Sequence, residues 1–313
     1  MTELSAEAAP NRDRLTANLY CVGSMLIWAM GFPAVTLLLP VMSPLGLTAA
    51  RMALAALALL PIWMILDGPA AFAKAPWRRG LLIGALGFGT GAYLLVAAQS
   101  LTDGVTVAVM AATMPIAGIA LECLFDGRRL TPGLVAGLVL SLLGGVLTYA
   151  TGLGSLTVGL GAGATLLSVI LFSWASRETV KSLAGVSPLG RTAVTLCGGA
   201  LATSCAFAVS TALHGSGIQW QRIGATEIAL LALYGIGSLA FSQILWILGV
   251  GRLGVGIASM HINAASFYVM ALTAVTGGTW GWLQASGALI VGLGVLVAQD
   301  RAGRGVKRLS PCD

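Results

Sequence analysis

The chain of 313 residues is 57% hydrophobic and only 9% charged, with a mean hydropathy of +0.92, whereas soluble domains carry about 25% charged residues. No water-soluble fold hides that much apolar surface, so the chain reads as an all-α, multi-pass membrane protein with the lipid bilayer as its partner. The net charge of +6 does not point to nucleic acid, because the basic residues fall in short connections and tails rather than in one cluster.

Residues 1–15 are polar and charged and are expected to form a surface or disordered cytoplasmic tail. The apolar run behind them is too long for a secretory signal and lacks a small-x-small cleavage site. Ten segments follow, each of about twenty residues, the length that crosses a hydrocarbon core of about 30 Å. They are predicted as helices at 16–38, 44–66, 80–99, 104–124, 131–150, 156–176, 188–212, 226–248, 255–276 and 280–298, before a basic cytoplasmic tail at 299–313.

The first segment holds Trp28 and runs into Gly31-Phe32-Pro33; the second carries Arg51, the third Tyr93, and the fourth Met114-Pro115, where proline removes a backbone bond and kinks the helix. Gly133, Gly137, Ser141 and Gly145 put a small residue at every fourth position of the fifth segment, a stripe for close helix contact. That contact is internal in a monomer, the default, or a dimer face in a homodimer. Trp174 lies in the sixth segment, Gln243 and Trp246 in the eighth, and His261, Asn263 and Tyr268 in the ninth. Trp63, Trp77, Trp220, Trp280 and Trp282 fall nearer the segment ends, where such rings anchor helices at the interface. Cys21, Cys123, Cys197 and Cys205, four of five cysteines, lie within apolar runs and read as small hydrophobes rather than as a disulfide or metal framework.

Lys and Arg in the connections test this assignment. Arg12, Arg14, Lys74, Arg78, Arg79, Arg128, Arg129, Arg177, Lys181, Arg191, Arg252, Arg301, Arg304, Lys307 and Arg308 fall on one side of a ten-helix topology, and Arg222 alone falls on the other. The positive-inside rule then puts both termini in the cytoplasm; a bacterial inner membrane is the expected location.

Ser43-Pro44-Leu45-Gly46-Leu47-Thr48-Ala49-Ala50 returns 144 residues later as Ser187-Pro188-Leu189-Gly190-Arg191-Thr192-Ala193-Val194. At an offset of 150, Gly104-Val105 matches Gly254-Val255, and Gly127, Gly137 and Gly144 match Gly277, Gly287 and Gly294. The chain is therefore read as two copies of a five-helix unit, 16–150 and 156–298. An odd number of helices inverts the second copy, the inverted-repeat arrangement of many transporters.

With ten helices as five plus five, Trp28 and Trp174 in the first helix of each half, Arg51 near the start of helix two, Met114-Pro115 in helix four and spaced glycines in helices five and ten, the chain resembles the EamA-type drug/metabolite transporters. Within them it looks most like the YddG-like exporters of aromatic amino acids. It departs from the family where Gly-Glu after helices four and nine is replaced by Gly127-Arg128 and Gly277-Gly278, and where a helix-nine proline is replaced by Ala265. The resemblance implies a secondary transporter moving a small amphipathic molecule by alternating access, outward, with no cofactor and no metal. Other small metabolites or cationic drugs are the alternative cargo.

Breaks at Pro33 and Pro115 would then form flexible walls of a midplane cavity, or packing kinks. Arg51 either snorkels outward on its long stem or turns inward to hold carbonyls or an anionic group. Glu122 is expected to find a local partner such as Arg128. His261, a residue type that titrates near neutrality, is either a satisfied core histidine or a cavity-lining group. Trp28, Tyr93, Trp174, Gln243, Trp246, His261, Asn263 and Tyr268 are the candidate substrate-binding residues, and Pro33, Arg51 and Pro115 the candidate gating or structural ones. A membrane-embedded enzyme is the rival class, but the spans hold no His/Asp/Glu metal cluster and no Ser-His-acid set, so no catalytic residue is assigned.

Overall fold

In the computed structural model the described residues are 3–127 and 156–275, with scattered positions between 132 and 143 and between 277 and 293; side chains are described from residue 15 onward, those of 156–158, 263 and 264 excepted. Apart from an isolated antiparallel bridge between Met42 and Ile218, the regular structure of these residues is helical. Among the described residues eight helices are long and apolar enough to span a membrane: α1 (Leu15–Leu38), α2 (Pro44–Leu66), α3 (Trp77–Leu101), α4 (Gly104–Asp126), α5 (Gly159–Ser182), α6 (Pro188–His214), α7 (Ala225–Leu253) and α8 (Val255–Val275). The chain is thus a multi-pass membrane protein. These helices fall on eight of the ten predicted segments. The fifth and tenth segments lie outside the described residues except for scattered positions, as do the basic tail and, apart from Gly133, the small-residue stripe.

Of the two expectations for residues 1–15, a surface or a disordered tail, the helix that runs from Glu3 to Ala29 into the first span excludes disorder for residues 3–15. Ala6, Ala8, Ala9 and Glu7 are strong helix formers, and they carry the helix past the apolar boundary.

The repeated octapeptide starts two helices in the same way. Ser43 and Ser187, both extended at ψ 151° and 156°, accept from the backbone N–H of Gly46 and Gly190 at 3.3 and 3.0 Å, and proline follows each of them. Such a cap is worth about 1 kcal/mol, and proline at the first position loses no bond that the helix would have made. At the other offset, Gly127 and Gly277 both take positive φ, 68° and 92°, where glycine has no Cβ to clash.

Helices α2 and α6 pack antiparallel. A Cβ on Gly46, at the start of α2, would lie 3.0 Å from the Phe207 ring late in α6, and one on Gly190 would lie 2.6 Å from Trp63 late in α2. The offset of 144 carries Gly46 to Gly190 and Trp63 to Phe207, so the two contacts are one contact with the partners exchanged. Trp63 is accordingly no interface anchor: it is fully buried, packed with Phe72 and Trp77 at ring separations of 5.1 and 5.7 Å. Trp220 and Trp282 do stand exposed, as anchors should.

Both α3 and α7 widen into a π-helical stretch, Gly84–Gly89 and Leu233–Phe241, a distortion that clusters at functional sites. The first lies against α6, where a Cβ on Gly84 would strike the carbonyl of Thr195 and one on Gly198 the carbonyl of Leu81. The second lies against α2, where a Cβ on Gly235 would sit 3.0 Å from the carbonyl of Arg51. Each helix outer face is apolar, as lipid requires: Leu15, Leu19, Val22 and Leu26 form an exposed stripe on α1 while Ala17, Cys21, Ser24 and Met25 are buried.

Candidate functional site

Three neighbouring spaces that share lining residues lie between the helices. An open vestibule of about 520 Å³ is lined by Thr36, Pro40, Ser43, Gln99, Asp103 and Gln219 among others. Below it Trp28, Phe32, Leu95, Gln99, Arg51 and Tyr234 close around a constriction of about 10 Å³. Beyond that lies a central cavity of about 50 Å³ walled by Ser24, Met25, Trp28, Leu95, Met114, Ser168, Val169, Phe172, Ser242, Gln243, Trp246 and Ile262, with Ala111 completing it. Gln99 is shared by the first two spaces, and Trp28 and Leu95 by the last two.

Helix breaks shape these walls. Helix α1 is interrupted between Ala29 and Gly31, with Pro33 in the turn that follows. A Cβ on Gly31 would lie within 3.0–3.1 Å of the Tyr234 ring and would strike Ser238 Oγ, so glycine lets the break approach α7. Helix α4 breaks between Ala111 and Met114, where the N–H groups of Ala112 and Thr113 reach back three residues, and Pro115 opens the continuation. The kink predicted at Pro115 is present, and it places Met114 on the cavity wall. Helix α8 breaks at Ser259–His261 with no proline, and the next residue, Ile262, lines the cavity.

Arg51 is only 2% exposed, so it does not snorkel. Its Nη1 donates to the Tyr234 hydroxyl at 2.6 Å, and its guanidinium carbon stands 4.1 Å over the same ring. A cation over an aromatic face contributes about 0.5–2 kcal/mol, which offsets only part of the roughly 2.5–3.5 kcal/mol that a charge costs at the membrane centre on insertion scales. Its Nε has no partner. Close by, Gln99 Nε2 donates to the Phe32 carbonyl at 2.9 Å and to Thr36 Oγ1 at 3.0 Å, tying α3 to the broken turn of α1.

In the central cavity Trp28 meets Phe32 edge to face at 4.8 Å, and Trp246 Nε1 donates to Ser176 Oγ at 2.8 Å. Gln243 Nε2 is buried without a partner. Trp28, Gln243 and Trp246 are therefore brought together. Trp174 is not among them: it packs half-buried on the core, and the residue 144 after Trp28 is Phe172. At that same offset Ser24 and Met25 correspond to Ser168 and Val169, and all six line the cavity. Pairing the two tryptophans used the wrong register by two residues, which on a helix turns a side chain to another face.

Tyr93 also departs from expectation. It is 36% exposed on the outside of α3, because Leu95 and Gln99, one turn apart, face the path and Tyr93 projects from the opposite side. His261 Nδ1 lies 3.1 Å from the Ala258 carbonyl within the α8 break, and His261 lines none of these spaces. Tyr268 packs against two core clusters. The Asn263 side chain lies outside the described residues. Tyr234, Gln99 and Phe172 were missed by the sequence reading, and Met114 was noted only as the neighbour of Pro115; the offset of 144 itself could have found Phe172.

The face opposite the vestibule is held by polar contacts. Glu122 Oε1 accepts from the Gly256 N–H at 2.9 Å in the first turn of α8, where the helix dipole favours a carboxylate. Arg128, the partner expected from the sequence, lies outside the described residues. Asp126 bridges to Arg177 and Lys181 of α5, and Ser187 donates to Asp67.

Comparison with known proteins agrees with this architecture. Residues 15–150 match the model of the EamA-like transporter family. Among 27 matching chains of solved structures, one described only as a crystal structure of a protein covers 93% of this chain and 99% of its own length, with a TM-score of 0.71 and 21% identity. At that identity the likeness is one of fold. No curated protein matches the chain.

Proposed function

We propose that the chain is a secondary transporter of small amphipathic metabolites, aromatic amino acids or related compounds, working by alternating access between two inverted five-helix repeats. The observation that carries the cargo reading is the central cavity, whose walls combine the rings of Trp28, Phe172 and Trp246 with one free polar side chain, Gln243. Aromatic walls with a few placed polar groups suit an amphipathic solute. At about 50 Å³ the cavity holds only one or a few water molecules, so it must widen to admit a metabolite. The breaks in α1, α4 and α8 supply joints for that movement.

The exchanged Gly46–Phe207 and Gly190–Trp63 contacts, the paired π-helical stretches and the paired cavity residues support the repeat. Cytoplasmic termini follow from the basic connections, and export from the family resemblance. The buried Arg51 disfavours a cationic cargo.

Reconstituted protein tests the reading. Trp28→Ala and Phe172→Ala should weaken uptake of phenylalanine or tryptophan about 2- to 12-fold more than that of alanine or threonine, since ring contacts add about 0.5–1.5 kcal/mol beyond area. Trp174→Ala should not discriminate. Equal losses for every cargo in the Trp28 and Phe172 variants would remove the aromatic reading.

A further inference from the structure

Two buried side-chain groups along the path lack a hydrogen-bond partner among the described residues, and both are N–H donors. Ser24 Oγ donates to the Ser242 carbonyl at 2.8 Å, Ser168 Oγ to the Gly91 carbonyl at 2.7 Å, and Ser242 Oγ to the Ser238 carbonyl at 2.5 Å. These hydroxyls are engaged by backbone. Gln243 Nε2 in the central cavity and Arg51 Nε at the constriction are instead buried N–H donors with no partner. No carboxylate among the described residues pairs with Arg51, whose two partnered contacts are both to Tyr234.

Packing does not call for this charge. At the offset that relates the two octapeptides, Arg51 corresponds to Thr195. Thr195 fills its place in α6 with a hydroxyl that donates to the Arg191 carbonyl at 2.8 Å. Both positions face a glycine on the π-helical helix opposite, Gly84 or Gly235. The cation is present at one of two matching positions, and it is the one on the path.

We propose that Arg51 is an anion-binding residue of this path, and that with Gln243 it selects solutes carrying a carboxylate, the amino-acid and organic-acid class. The proposal rests on reading the three spaces as the cargo route. An uncompensated guanidinium attracts an anion strongly in a low-dielectric setting. Its planar N–H groups match the two oxygens of a carboxylate. No second Lys or Arg lines the three spaces, so a singly charged carboxylate is balanced where a phosphate dianion would bring an unpaired charge.

The test compares phenylacetate with 2-phenylethanol, which shares the ring but has no charge, for binding to the purified full chain by tryptophan fluorescence and thermal shift. Wild type should bind phenylacetate at least about tenfold more tightly, the preference expected of a charge-assisted bond. Arg51→Gln should abolish that preference and Arg51→Lys should keep part of it. Equal affinity of wild type for acid and alcohol overturns the proposal whether or not any variant folds, and so does an undiminished preference in Arg51→Gln. Inorganic phosphate binding as tightly as phenylacetate would overturn the carboxylate assignment. Counterflow of amino acids in proteoliposomes is measured separately. A carboxylate preference without counterflow would leave Arg51 an anion site and overturn only the transport reading.

Discussion

Replacing Gly84 by alanine tests the contact between α3 and α6 directly. The added Cβ would strike the Thr195 carbonyl, and a backbone atom inside a long helix cannot turn aside as a side chain can. The helices must separate, which for overpacking costs about 1–3 kcal/mol. Gly198→Ala meets the Leu81 carbonyl from the other helix and should cost a similar amount. Because the first substitution already opens the gap, the double variant should lose less than the two losses added, a coupling that a double-mutant cycle reads. Gly163→Ala is the control: it lies in α5 with nothing within 4 Å of the new atom, and alanine there should be neutral or slightly stabilising. The assay is thermal unfolding of purified protein in one detergent, followed by tryptophan fluorescence. Gly84→Ala and Gly198→Ala should each lower Tm by a few to about ten degrees, using roughly 2–4 °C per kcal/mol for a large domain. If Gly84→Ala unfolds at the same temperature as Gly163→Ala, the close approach of these helices is wrong.

Three further outcomes are expected. Trp246→Phe removes the bond to Ser176 and should cost about 1 kcal/mol, after which Ser176→Ala should cost almost nothing more; full additivity in thermal unfolding would mean that the bond at 2.8 Å is not formed. Glu122→Ala leaves the Gly256 N–H without this acceptor and should destabilise by about 1–3 kcal/mol, more than Glu122→Gln, which keeps an acceptor; the reverse order in the same assay would remove the capping role. A reporter active only in the cytoplasm should work when fused after Asp313 or between Asp67 and Arg78 and fail between His214 and Gln221, and activity at the last site would reverse the orientation drawn from the basic connections.

Much of the architecture is legible in the chain because lipid leaves few choices. Twenty apolar residues in a row form a helix across the membrane or nothing stable, so the eight described spans fall where hydropathy places them. The octapeptide beginning Ser43-Pro44 encodes a capped helix start through local chemistry alone, and its copy at Ser187-Pro188 does the same. Pro115 marks its break because a missing N–H acts on its own helix.

Facing is another matter. A membrane helix is apolar all round, so hydropathy carries little signal about which side meets lipid and which meets the path. Tyr93 and Trp174 were misplaced on that account, and Trp63 passed for an interface anchor. The break in α8 has no proline to announce it, and its position depends on the neighbours of Ser259–His261. Arg51 is plainly a charge in a membrane from the sequence, but whether its long stem reaches water or turns inward is decided by α7, which presents Tyr234 183 residues further along the chain. Local bonds specify the helices; only the packing of distant helices decides which side chains a cargo would meet.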